Sequence, residues 1–182
     1  SRGILKLIDV FGNKIDNAIL RMFLIGKPEE LDFVEKRRSH LRNPGNVRIE
    51  DPLPYPEHFR EIARCDVGIM LYRNVSLNYR YCAPNKLYEY PMLGLPVLSS
   101  NQPHLKNIVE GNGFGCAVDP ASPEAIMSGV ECLLSADLMS MSKKARAWFL
   151  SEGRYELQYR QVREFAQKVV DRWEVPSVGR CT

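Results

Sequence analysis

What this sequence has little of narrows its class. No run of about eighteen apolar residues occurs, which is the length a helix needs to cross a bilayer. Cysteine is sparse and unpatterned. Cys65, Cys82, Cys116, Cys132 and Cys181 are odd in number and contain no C-x-x-C, which argues against a disulfide framework or a zinc site and for reduced thiols in a cytoplasmic protein. The three histidines, His40, His58 and His104, are scattered, so no Ser/His/Asp or Cys/His set can be assembled. A net charge of +3 without a clustered basic face gives no footprint for nucleic acid. The glycines of Gly111-Asn112-Gly113-Phe114-Gly115 do not make a dinucleotide fingerprint, because they follow an apparent helix and open a strand, the reverse of the required order. No signal peptide is evident and the first residue is Ser1, so the expectation is a piece whose upstream segment is absent.

What is present is ordinary globular material: 182 residues, 45% hydrophobic and 26% charged, enough for one domain with a real core over residues 1–173 and a loose tail at 174–182. Apolar residues at helical spacing predict a helix over 3–11. Buried strands are predicted near 19–25, 47–49, 66–71, 96–99 and 115–118, with helices between them. Further helices are predicted over about 123–134, 136–150 and 154–173. Asp51-Pro52-Leu53-Pro54-Tyr55-Pro56 reads as a stiff loop, and 72–82 as a polar, aromatic loop at a strand's carboxyl end, where doubly wound sheets bind ligands. Lys36, Arg37, Arg38 and Arg42 read either as a solvated helix face or as a contact for an acidic membrane surface.

Ala83-Pro84-Asn85-Lys86-Leu87-Tyr88-Glu89-Tyr90-Pro91-Met92-Leu93-Gly94-Leu95-Pro96-Val97-Leu98 carries the chemistry. It reads as a loop, a short helix opened by Pro84, a stop at Gly94 and a buried strand. Amides near Asn85, Lys86 and Leu87 are expected to lack helical partners. Together with the helix dipole and Lys86 they would make an anion site. Glu89 lies three residues on, on the same face. Amides and lysine suit a diphosphate, and a carboxylate suits the two hydroxyls of a ribose. The plainer reading is a capped helix with an exposed Lys86–Glu89 pair worth roughly 0.2–0.5 kcal/mol. Pro91, inside this helix, is expected to kink or tighten it.

The wording PNKLYEYPMLGLPVLSS resembles the donor-binding segment of GT-B glycosyltransferases of the large retaining family 4, whose usual form is P-x-K-x-x-E-Y-M-A-x-G-x-P-V-I. The resemblance extends along nearly the whole chain. It implies an α/β fold: a Rossmann-like doubly wound parallel sheet with helices on both faces, the donor-binding half of a GT-B enzyme. It implies a nucleotide-diphospho-sugar donor such as a UDP-sugar or GDP-sugar, a glycan or lipid-linked acceptor, transfer with retention, and an amino-terminal acceptor domain absent from this sequence. No cofactor and no metal are implied, and no Asp-x-Asp motif occurs. Localisation is expected to be cytoplasmic, including the inner face of a membrane with peripheral contact.

Carried over by position, Lys86 and Glu89 are the catalytic candidates. Arg2, Ala83, Pro84, Asn85 and Leu87 join them in donor binding, Arg2 as a second phosphate ligand. Leu53 falls where a nucleobase pocket has its wall, and is equally read as part of a surface linker. Tyr81 stands where many relatives carry a first glutamate eight residues before Glu89. With Arg73 and Arg80 it reads as pocket lining or as exposed loop. Rivals to transfer are a non-catalytic nucleotide-binding module and a sugar-nucleotide epimerase of the same architecture. The family's donor domain has six strands in the order 3-2-1-4-5-6. Only five are legible here, so the first, mid-sheet strand is missing. The strands near 19–25 and 66–71 are therefore expected to pair directly or to flank a void.

Overall fold

A computed structural model describes residues 3–173. Ser1, Arg2 and the tail 174–182 lie outside the described residues, and with them the phosphate-ligand reading of Arg2. In chain order the elements are α1 (Ile4–Asn13), β1 (Leu20–Phe23), α2 (Pro28–Ser39), β2 (Val47–Glu50), α3 (Tyr55–Ile62), β3 (Gly68–Met70), α4 (Leu77–Arg80), α5 (Lys86–Met92), β4 (Val97–Ser100), α6 (Pro103–Gly111), β5 (Gly115–Val118), α7 (Pro123–Ser135), α8 (Leu138–Trp148) and α9 (Tyr155–Trp173). A π-helical turn, Phe149–Gly153, separates α8 from α9.

Local chemistry explains the boundaries. Ser122 Oγ accepts from the Ala125 amide and Asp137 Oδ1 from the Ser140 amide, so α7 and α8 each open on a side-chain cap. At the end of α5, Gly94 takes φ 73°; its amide donates to Pro91 O and the Leu95 amide to Tyr90 O. That pair of bonds is the left-handed Schellman ending expected of Gly94. Pro91 does not break α5, which continues to Met92. Both ends are tight instead, with i→i−3 bonds from Leu87 to Pro84, Tyr88 to Asn85 and Leu93 to Tyr90.

Two expectations need correction. The proline-rich stretch is not loop to its end: α3 begins at Tyr55 because Pro56 sits in the first turn, where its missing N–H costs nothing. The 72–82 loop contains α4, capped by Ser76 Oγ accepting from the Tyr79 amide at 3.3 Å.

All strand pairs are parallel, but the ladder is divided. β1 pairs with β2, and β3-β4-β5 forms a second sheet. β1 and β3 do not pair. They line a shared cavity of about 810 Å³, which also takes Ile4, Leu7 and Phe11 of α1 and Val130 and Leu133 of α7. The strands expected to pair or flank a void thus flank a void, and no strand lies between them among the described residues.

Helices cover both faces of the larger sheet. On one side Leu98 packs with Ile8, Val10, Ile126, Val130 and Leu133 of α1 and α7, and the same core reaches Leu20, Met22 and Val47 of the smaller sheet. On the other, Met70 and Val97 pack with Leu87 and Tyr90 of α5, Leu105 and Val109 of α6, and Ala145 and Trp148 of α8. Adjacent Val97 and Leu98 enter opposite cores, as a central parallel strand requires. The α/β doubly wound expectation holds.

The basic cluster on and after α2 is locally neutralised. Lys36 pairs with Asp32, Arg37 with Asp9, Arg38 with Glu35 and Arg42 with Asp16.

Candidate functional site

The βαβ connection from β3 brings the start of α5 to the carboxyl end of the larger sheet, and Lys86 is its first residue. Lys86 is half-buried. Its Nζ donates to Tyr90 Oη at 3.3 Å and lies 5.4 Å from the centre of the Tyr90 ring. Tyr90 is 7% exposed, and its hydroxyl donates to Ile69 O of β3 at 3.3 Å. Its ring lies flat against Gly68, where an added Cβ would come within 2.3 Å of it, so a glycine is required there. Burial drives the Tyr90 phenol well above its ordinary value, which keeps it a neutral donor. Tyr90 therefore fixes where the Lys86 ammonium sits, at the rim of the cavity between the sheets.

Glu89 occupies the next turn, between Tyr88, which stacks on Trp148 at 6.1 Å, and the buried Tyr90. It is half-buried, and among the described residues nothing donates a hydrogen bond to its carboxylate or pairs with it.

The loop before α4 is tied back to β4. Ser100 Oγ accepts from the Tyr72 amide at 3.1 Å and Gln102 Nε2 donates to Tyr72 O at 2.6 Å. Both side chains are buried and hold Tyr72, two residues past the end of β3. Ser100 and Gln102 gave no functional signal in sequence, because their use depends on β3 ending opposite them.

The remaining candidates are dispersed. Ala83 and Asn85 are exposed and Pro84 is half-buried on the approach to α5. Leu87 must be corrected: its side chain is fully buried in the core and its amide donates to Pro84 O at 2.9 Å, so it offers no open donor. The tightening of the first turn removes the amide that the spacing left vacant. Tyr81 is 63% exposed, just past α4, with the Arg80 guanidinium 5.7 Å from its ring centre. Leu53 is 37% exposed on the loop before α3 and does not line the cavity. Of the described candidates only Lys86 does. No group of three or more His, Cys, Asp or Glu side chains suited to a metal ion occurs among the described residues. No described helix is long and apolar enough to cross a membrane.

A family model described as glycosyl transferases group 1 matches residues 1–136. Among solved structures the chain is similar to a sucrose-phosphate synthase from Thermosynechococcus elongatus, at 15% identity and a TM-score of 0.74, over 94% of this chain and 43% of that one. It is also similar to WaaG, described as a glycosyltransferase involved in lipopolysaccharide biosynthesis, at 18% identity and a TM-score of 0.64, over 93% of this chain and 43% of that one. The chain thus spans less than half the length of either structure, and its fold is that of half a GT-B glycosyltransferase. No curated protein matches it.

Proposed function

The chain belongs to the group 1 glycosyl transferases, and on that premise we propose that it is the half that holds the donor, a nucleotide-diphospho-sugar such as a UDP-sugar or GDP-sugar. The observation that carries this reading is the pairing of two unlike groups on α5: an ammonium pinned in place by Tyr90, and one turn on a half-buried carboxylate with no partner among the described residues. Lys86 would take the diphosphate and stabilise the charge that builds on it as the sugar leaves. Glu89 would accept from the ribose hydroxyls. Arg2 would add a second cation by its place in the sequence. The sugar would pass with retention to a glycan or lipid-linked acceptor held by an amino-terminal domain. A cytoplasmic setting accords with the free thiols among the described residues. Peripheral membrane contact through α2 forms no part of this reading, because each cation of that cluster already has a carboxylate.

Calorimetry with UDP, GDP and ADP tests the proposal. One nucleoside diphosphate should bind. A charged hydrogen bond contributes roughly 1.5–3 kcal/mol, so Glu89→Ala and Lys86→Ala should each weaken binding about ten- to a hundredfold. Undiminished affinity in both variants would remove the site. Binding that persists without sugar transfer in the full-length enzyme would favour a non-catalytic module, and release or epimerisation of the sugar without acceptor would favour the epimerase.

A further inference from the structure

Two thiols that the sequence leaves unrelated meet in the fold. Cys116 stands on β5 and Cys132 on α7, and their Sγ atoms lie 3.1 Å apart. The approach is built from packing. Cys116 and Val118 share the face of β5 that α7 covers, because side chains two apart on a strand point the same way. Gly129 and Cys132 share a face of α7, being three apart on a helix. Gly129 lies against Val118 and Leu98 so closely that a Cβ there would come within 2.6 Å of Val118 and 2.7 Å of Leu98. That tight seat lowers the next turn of α7 onto Cys116. Cys132 is exposed, whereas Cys116 is half-buried, and burial first and the bond to Cys132 second hold the Cys116 thiol above its usual pKa.

We propose that Cys116 and Cys132 form a reversible redox-modification site, closing to a disulfide that staples β5 to α7 when the chain meets a low-molecular-weight disulfide of the glutathione type. The sulfurs need close by only about 1 Å to reach the bond length of about 2.05 Å. The exposed Cys132 attacks first as its thiolate, having given its proton to solvent. It forms a mixed disulfide and expels one small thiolate. Cys116 then loses its proton to solvent, attacks Cys132 Sγ and expels the second. Two protein thiols surrender two electrons and two protons, and the small disulfide becomes two thiols. Cys65 and Cys82 stand apart, their Sγ atoms donating to the carbonyls of Glu61 and Tyr79.

The test equilibrates the full chain in glutathione buffers of graded ratio, blocks remaining thiols with an alkylating agent and maps the peptides by mass. At the oxidising end the peptides bearing Cys116 and Cys132 should appear joined, lighter by two hydrogens and separable by dithiothreitol. A loop of this length predicts a rise in the unfolding midpoint of roughly 5–10 °C on closure. Cys65→Ser and Cys82→Ser should keep the link, and Cys132→Ser should lose it. Should the serine variant not fold, the wild-type peptide map decides alone. Alkylation of both residues at the oxidising end, or a glutathione adduct on Cys132 beside a free Cys116, would overturn the proposal.

Discussion

Tyr90 is the residue on which the geometry of Lys86 depends. One hydroxyl accepts from the ammonium and donates to the Ile69 carbonyl, and the ring is seated on Gly68. Removing only the hydroxyl leaves the packing and takes this one contact from the lysine. Tyr90→Phe is therefore expected to reduce stability by about 0.5–1.5 kcal/mol, the usual net worth of a lost hydrogen bond, and to weaken nucleoside diphosphate binding several-fold. Urea unfolding and calorimetry on the same sample separate the two effects; a loss of stability with unchanged affinity would show that the lysine needs no such guide. Gly68→Ala acts from below, by forcing the ring away. Overpacking of that kind costs roughly 1–3 kcal/mol. None of this was legible in the sequence, although Lys86 and Tyr90 stand four apart on one helix face. The missing fact was that Gly68, the first residue of β3, opens the space that the tyrosine fills.

At the scale of elements, apolar periodicity and the Pro/Gly punctuation were enough to read the five strands and the principal helices. What periodicity missed were elements of barely one turn, such as α4, and meetings between elements, such as Cys116 with Cys132. Another such meeting joins β1, β2 and α3. Arg21 makes two bonds to the Glu50 carboxylate, at 2.7 and 2.6 Å, and a third to Glu61 at 3.1 Å, while Glu61 also accepts from Arg64 at 2.6 Å. The Arg21 bond is the chief cause that holds the Glu50 carboxyl below its ordinary value. A carboxyl lowered on folding stabilises the fold above its unfolded pKa of about 4.3, and that contribution is lost as pH falls through the lower folded value. Arg21→Met should cost roughly 1–3 kcal/mol at neutral pH, because it leaves two half-buried carboxylates facing each other. Denaturant curves from pH 6 down to 3 should fall more steeply for the wild type than for the variant, because Glu35 and Glu124, also held low by their own partners, act alike in both. Parallel curves would show that Arg21 does not set the Glu50 titration.

The whole molecule is shaped by the gap between its two sheets. Among the described residues β1 bonds only to β2, and β3 only to β4, so each turns a row of backbone donors and acceptors toward the same cavity. Polar backbone left unpaired beside apolar walls is costly, and an exposed edge is a template for another strand. The lining also states what would suit. All existing pairs are parallel, and apolar cores lie on both sides of the larger sheet, so the complementary piece is a parallel strand apolar on both faces. α1 forms one wall of the cavity and leads directly into β1, the order in which a right-handed strand–helix–strand unit is built. Fusing a Val/Ile-rich strand of about five residues and a short turn ahead of Ser1 should therefore join the two sheets. Amides of Leu20–Phe23 and Gly68–Met70 should then exchange with solvent at least about tenfold more slowly, the change expected for about 1.4 kcal/mol of added local stability. Binding of a hydrophobic dye should fall in step. A control fusion of the same composition interrupted by proline should do neither, since proline removes ladder donors. If exchange at both edges is unchanged by the uninterrupted strand, the two rows of backbone groups are not complementary to a common partner, and the cavity is an ordinary cleft between two independently closed sheets.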